Sequence, residues 1–210
     1  MLIFNFQLLM GYSNYKSLKQ VLKKLELADT DLNMFPEIKP VQPSNWLLQS
    51  LEYAARIPLT NEKSKSERIV SPILIEIALH FEKEITLFSG EELLVDASID
   101  LSGECDFLFA KHPRKRIMKA PVITLVEVKD ENFEYGQAQC IAQMYGALRY
   151  NEQEGKPIPF IYGCAVTGDD WRFMRLENQS VMFDTKTYYL NELPKVLGVF
   201  HQIIEEILGV

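Results

Sequence analysis

Residues 121–131 read PVITLVEVKDE, and the rest of the chain arranges itself around them. Five of the seven residues from Val122 to Val128 are β-branched and polar residues begin at Lys129, which predicts a buried strand opening into a loop. Side chains alternate faces along a strand, so Glu127 and Lys129, two apart, project from one face together with Ile123 and Leu125. Charged side chains are rarely buried without a partner. An acid and a base closing an apolar strand therefore mark a candidate catalytic site.

Two more strands precede this one. Leu93 to Leu101 alternates apolar and polar residues, Ser102-Gly103 supplies a tight turn, and Cys105 to Ala110 follows. If Cys105–Ala110 pairs antiparallel with Val122–Lys129 across the loop 111–119, matching Lys111 to Val122 sets Asp106 opposite Glu127. A one-residue slip would part them. In this register Asp106, Glu127 and Lys129 converge. Two neighbouring carboxylates repel unless a proton or cation lies between them, and such oxygen-rich sites suit Mg²⁺ or Mn²⁺. A metal that polarises a phosphate, beside a lysine that supports the attacking water, suits phosphodiester hydrolysis.

Around this centre, an amphipathic helix is predicted over 14–28, with Asn14 as its cap. Pro36, Pro40 and Pro43 make 35–43 an arm, and Ser44 caps a second helix reaching about Arg56. Residues 1–60 thus read as a helical extension packed on an α/β domain over 61–210. A third helix runs from Asn61 to Phe81, kinked or started by Pro72. On it Glu76 is either an exposed partner of His80 or a glutamate facing the site. Beyond the central strand come a helix over 136–150, a strand over 158–166, a hairpin of 171–176 with 180–189, and a final helix over 191–208. That last helix is apolar enough for the core or for a homodimer contact.

The net charge of −7 opposes a general nucleic-acid coat but not local contact. The basic loop 111–119 starts five strand residues from Asp106, roughly 16 Å at about 3.3 Å per residue, so it reaches only flanking duplex. Arg149, Lys156, Arg172 and Arg175 are further candidate phosphate contacts or plain surface bases. Cys105, Cys140 and Cys164 lie in apolar segments without metal spacing and read as reduced core thiols, as in a cytoplasmic protein. The apolar run Met1 to Met10 is broken by Asn5 and Gln7 and is too short to span a bilayer, so no membrane contact is expected.

Asp106, twenty intervening residues, and Glu127-Val128-Lys129, set on a hairpin strand and its neighbour, resemble the PD-(D/E)xK nuclease superfamily. The element order over about 61–166 is similar to that superfamily's αβββαβ core, so a mixed sheet with a restriction-endonuclease-like core flanked by helices is expected. By resemblance, Asp106, Glu127 and the Val128 carbonyl are metal ligands, Lys129 handles the water, and Glu76 is the additional acid of the preceding helix. The resemblance also favours Gln139, then Gln143, as the helix glutamine near the metal-bound water. Cys105 stands where the family name has Pro, and no Tyr follows either Gln by four. The implied activity is Mg²⁺- or Mn²⁺-dependent DNA hydrolysis. The alternatives are a catalytically inactive binding or assembly module and a nucleotide phosphohydrolase.

Overall fold

The structure is a computed structural model that describes residues 11–210. The expectation about Met1–Met10 lies outside the described residues. Among the described residues no helix is long and apolar enough to cross a membrane.

The chain begins with α1 (Leu18–Lys24), capped by Ser17 rather than Asn14. It continues into β1 (Ala28–Leu32), α2 (Asn45–Ala54), α3 (Glu62–Lys65), a π-helical turn Ser66–Val70, and α4 (Ser71–His80). Then follow β2 (Thr86–Asp96), β3 (Leu101–Ala110), β4 (Val122–Val128), α5 (Phe133–Gln153) and β5 (Phe160–Val166). Next come β6 (Asp170–Glu177), β7 (Ser180–Asp184), β8 (Tyr188–Tyr189) and α6 (Leu193–Leu208). The N-terminal segment is not purely helical: β1 pairs parallel with β7 at the edge of the main sheet.

The strands form one mixed eight-stranded sheet in the order β1-β7-β6-β5-β4-β3-β2, with β8 on β6. β2, β3 and β4 are antiparallel neighbours, and α5 crosses over to set β5 parallel to β4. Two apolar cores cover the two faces. One gathers the arm's Phe35 with α2, α4 and α6 against Phe107, Val126, Val128 and Trp171. The other packs α1 and α5 against Leu108, Leu125, Ala165 and Met174. In α6, Leu197, Phe200, Ile203 and Ile204 are fully buried, so that apolar helix serves the core.

Two local devices shape the strands that carry the candidate residues. The β2–β3 turn is not at Ser102-Gly103. Asp96 accepts a hydrogen bond from the Ser98 N–H and Asp100 takes a left-handed conformation (φ 62°), which reverses the chain, while Gly103 sits in β3 opposite Leu93. In β4 a bulge lies between the pairs Phe109↔Thr124 and Ala110↔Val122. The extra residue, Ile123, turns into the core away from Leu125, so the regular alternation expected along 121–129 is broken there. The fully buried Asn151 side chain meets both the N–H and the carbonyl of Val122, at 2.8 and 2.7 Å.

Candidate active site

The register past the bulge runs Phe107↔Val126, Leu108↔Leu125 and Phe109↔Thr124, which brings Asp106 alongside Glu127. Beyond Phe107 the strand changes face. Cys105 belongs to the core under α5 and Phe107 to the opposite one, two residues apart. On β2, Gly90 has φ +66° between the pairs Ser89↔Phe107 and Glu91↔Cys105, and so lies opposite Asp106. The Asp106 carboxylate ends at the strand terminus, where Oδ2 accepts the Val128 N–H at 2.8 Å.

Glu127 is only 3% exposed. Its Oε1 meets Lys129 Nζ at 2.8 Å and its Oε2 accepts from Gln143 Nε2 at 2.7 Å. Lys129 Nζ also donates to the Val128 carbonyl at 2.9 Å and to Glu62 Oε1 at 3.2 Å, with the Tyr135 ring centroid at 5.7 Å. The structure therefore brings together Asp106, Glu127, Val128 and Lys129, and adds Glu62 and Gln143.

Glu76 lies elsewhere. Its two oxygens accept from the N–H and hydroxyl of Ser44, at 2.6 and 2.8 Å, at the start of α2. The helical run that opens at Glu62 reaches Glu76 only fourteen residues later, about 21 Å along the axis at about 1.5 Å per residue, so one end alone can meet the sheet terminus. That end carries Glu62, delivered by an Asn61–Ser64 capping box. The capping box is visible in the sequence, and it marks the helix end that reaches the sheet. Glu76→Ala is expected to remove the Ser44 contacts and lower stability by about 1 kcal/mol while leaving the Lys129 cluster intact. Thermal unfolding of the variant checks this, and a loss confined to activity would contradict it.

Gln139 makes no side-chain hydrogen bond to the cluster among the described residues. It is buried, and among the described residues its Oε1, like that of Gln143, has no partner, but Gln143, one turn further on, holds the Glu127 carboxylate through Nε2. Gly136, one turn before Gln139, lets α5 close on the cluster: a Cβ there would lie 3.0 Å from Lys129 Cγ.

Beside the cluster, a cavity of about 320 Å³ is lined by Asp106, Val128, Glu62, Lys63, Glu67, Glu104, Ser66, Ser89 and Gly90, with Lys63 paired to Glu67 at 3.8 Å. Four carboxylates and two hydroxyls against the single Lys63 ammonium leave an oxygen-rich lining that suits a hard divalent cation. Among the described residues no three His, Cys, Asp or Glu side chains already stand in coordinating geometry. Lys129 and Gln143 occupy both oxygens of Glu127.

The electrostatics follow from burial. Burial, and then the Asp106 charge, push the Glu127 carboxyl up to about 7. Burial likewise raises Asp106, against the Val128 N–H bond and Lys129. For Lys129 burial acts downward, but Glu127, Asp106 and Glu62 together outweigh it and hold the ammonium above its ordinary range. Glu127 therefore binds a proton more tightly folded than unfolded, where its value is 4.5. The stability it contributes is complete below about 4.5 and is lost as pH rises through about 7. Without divalent cations, the stability of the wild type relative to Glu127→Gln is expected to fall by about 3 kcal/mol between pH 4.5 and 8. Urea unfolding across that range reads the difference, and a wild type that holds or gains stability relative to Glu127→Gln as pH rises would refute it.

No protein-family model matches the sequence, and no curated protein is significantly similar to it.

Proposed function

We propose that the chain hydrolyses phosphodiester bonds of DNA with Mg²⁺ or Mn²⁺, using a restriction-endonuclease-like αβββαβ core over residues 61–166. The observation that supports this most is the Lys129 ammonium, held between Glu127 and Glu62 beside Asp106 at the end of β4. The order helix, three antiparallel strands, crossover helix and parallel strand agrees with the core named by the motif.

In this reading Asp106, Glu127 and the Val128 carbonyl hold the cation, with Glu62 and Glu104 adding negative charge around it. A divalent cation supplies Lewis-acid polarisation of the phosphate and acidifies a water. The chain does the rest. Asp106 stays fixed by the Val128 N–H, and Gln143 orients Glu127 from α5. If the Glu127 carboxylate and the Val128 carbonyl held a cation, Lys129 Nζ would give up two of the partners that hold its proton. It then orients the attacking water and offsets the charge that develops on the phosphate. The Tyr135 ring keeps the amine near the strand end through this change.

The test is incubation of the purified chain with supercoiled and linear DNA, RNA and nucleoside triphosphates, with Mg²⁺, with Mn²⁺ and with chelator. Metal-dependent loss of DNA is the expected result. Hydrolysis of nucleotides alone would replace the proposal with a phosphohydrolase. No hydrolysis and no Mn²⁺ binding would leave a binding or assembly module.

A further inference from the structure

Four bases stood out in the sequence as candidate phosphate contacts, and the structure separates two of them sharply. Arg175 is committed: it pairs with Glu177 and Glu206, each at 2.8 Å, and donates to the Tyr162 hydroxyl at 3.2 Å. Arg172 is not. Among the described residues no carboxylate lies within 4.0 Å of its guanidinium, and its buried Nε has no hydrogen-bond partner.

Its position points at the candidate site. Trp171 and Phe173 belong to one core, and Met174 and Leu176 to the core under α5. Arg172 therefore projects on the α5 side, the side from which Gln143 meets Glu127. Glu127 pairs with Ala165, and Ala165 with Arg172, so the two charges share a row across three strands, about 10 Å apart at the backbone. Ala165 is the residue between them in that row. The guanidinium carbon lies 4.2 Å from the centroid of Phe133, the first residue of α5, at the rim of the strand ends that carry Lys129. That stack fixes the plane of the group and leaves its outer N–H edge for a ligand. The neighbouring acids are occupied or remote: Asp130 pairs with Lys65 at 2.6 Å, Glu134 accepts from the Leu18 N–H at 3.4 Å, and Asp170, on the same face, is beyond ion-pair distance.

We propose that Arg172 binds a backbone phosphate of the polynucleotide, one or two nucleotides from the phosphate held at Asp106 and Glu127. This rests on the hydrolytic reading of that cluster. A planar, pre-stacked guanidinium with no carboxylate of the described residues within ion-pair distance is built for two-point contact with an anion of phosphate geometry through its outer N–H edge. Arg172 is a substrate-binding residue and takes no part in the proton transfers.

Arg172→Gln keeps a polar side chain over Phe133 and removes the charge. Equilibrium binding of a short duplex, measured with Ca²⁺ in place of Mg²⁺ and with gel proof that the duplex stays intact, is expected to show two effects. The slope of log K against log salt falls by about 0.9, one phosphate contact, and Arg172→Lys restores it. In cleavage assays Arg172→Gln raises KM about tenfold with kcat within twofold. A methylphosphonate placed next to the scissile position weakens the wild type by the same factor and leaves Arg172→Gln unchanged. An unaltered salt slope together with no coupling to the methylphosphonate would overturn the assignment. Cleavage by the wild type without any Arg172→Gln effect removes only this inference. DNA binding with the slope loss, but no cleavage with Mg²⁺ or Mn²⁺, removes the hydrolytic reading and keeps the phosphate site. Absence of DNA binding removes both.

Discussion

Asp106→Ala, Glu127→Ala and Lys129→Ala are each expected to lower Mg²⁺-dependent DNA cleavage by about 10³-fold or more, because each removes charge placed where the reaction develops its own. The three losses should not add. Groups that act as one unit fail together, so the double variant Asp106→Ala/Lys129→Ala is expected to be little worse than either single change. The geometry gives each a distinct signature. Lys129→Ala leaves Glu127, 3% exposed, without the cation that meets its Oε1, and the carboxyl then keeps its proton to higher pH. Asp106→Ala releases the Val128 N–H and should weaken Mn²⁺ binding most directly, since Asp106 and Val128 line the open cavity. Single-turnover cleavage, Mn²⁺ titration and circular dichroism on the same preparations check these outcomes. Wild-type rates from all three variants, with the fold intact, would defeat the proposed function.

Gly198→Ala is expected to be the most destabilising single methyl in the chain's N-terminal docking. A Cβ at Gly198, inside α6, would sit 2.4 Å from the Lys39 carbonyl oxygen and 2.8 Å from Ile38 Cγ2. The nearer atom is backbone and cannot rotate away. The proline-rich arm is tied down on both sides of this contact, by Val41 N–H to the Pro194 carbonyl at 2.9 Å and by Gln202 Nε2 to the Glu37 carbonyl at 2.7 Å. It also carries Phe35 into the aromatic cluster of Phe173 and Tyr188. Either the arm lifts or α6 shifts, at a cost of about 3 kcal/mol, which for a domain of this size lowers Tm by roughly 6–12 °C. Gly163→Ala is the comparison: its Cβ would meet the Met144 sulfur at 2.3 Å and Cys140 Sγ at 2.8 Å, both side-chain atoms rather than backbone, so a smaller loss is expected. Differential scanning calorimetry reads both, and equal Tm values for wild type and Gly198→Ala would contradict the argument.

The pairing of Asp106 with Glu127 was legible because the two strands share a hairpin and the sum of paired residue numbers stays constant along regular antiparallel strands. Lys111 does not pair with Val122, as the loop ends suggested; Ala110 does, and the bulge at Ile123 then restores the expected register further along. Glu76 was misplaced for a different reason. Periodicity reports which face of a helix is apolar, but not which end of that helix reaches the sheet terminus, and here the N-terminal end with Glu62 does so. The choice between Gln139 and Gln143 likewise depended on how far α5 slides along β4, which the small residue Gly136 against Lys129 fixes.

The sequence by itself determined the buried strand Val122–Val128, the neighbouring hairpin strand, the crossover helix and the Asp106, Glu127 and Lys129 set, because alternation, β-branching and short-range pairing are local properties. Only the tertiary structure decided that Glu62 and Gln143 complete the cluster, that Asp106 turns to the strand end opposite Gly90, and that Arg172 stands in the same row with no carboxylate of the described residues on it. Those outcomes depend on distances between elements far apart in the chain, and such distances are set by how the two cores close on the sheet.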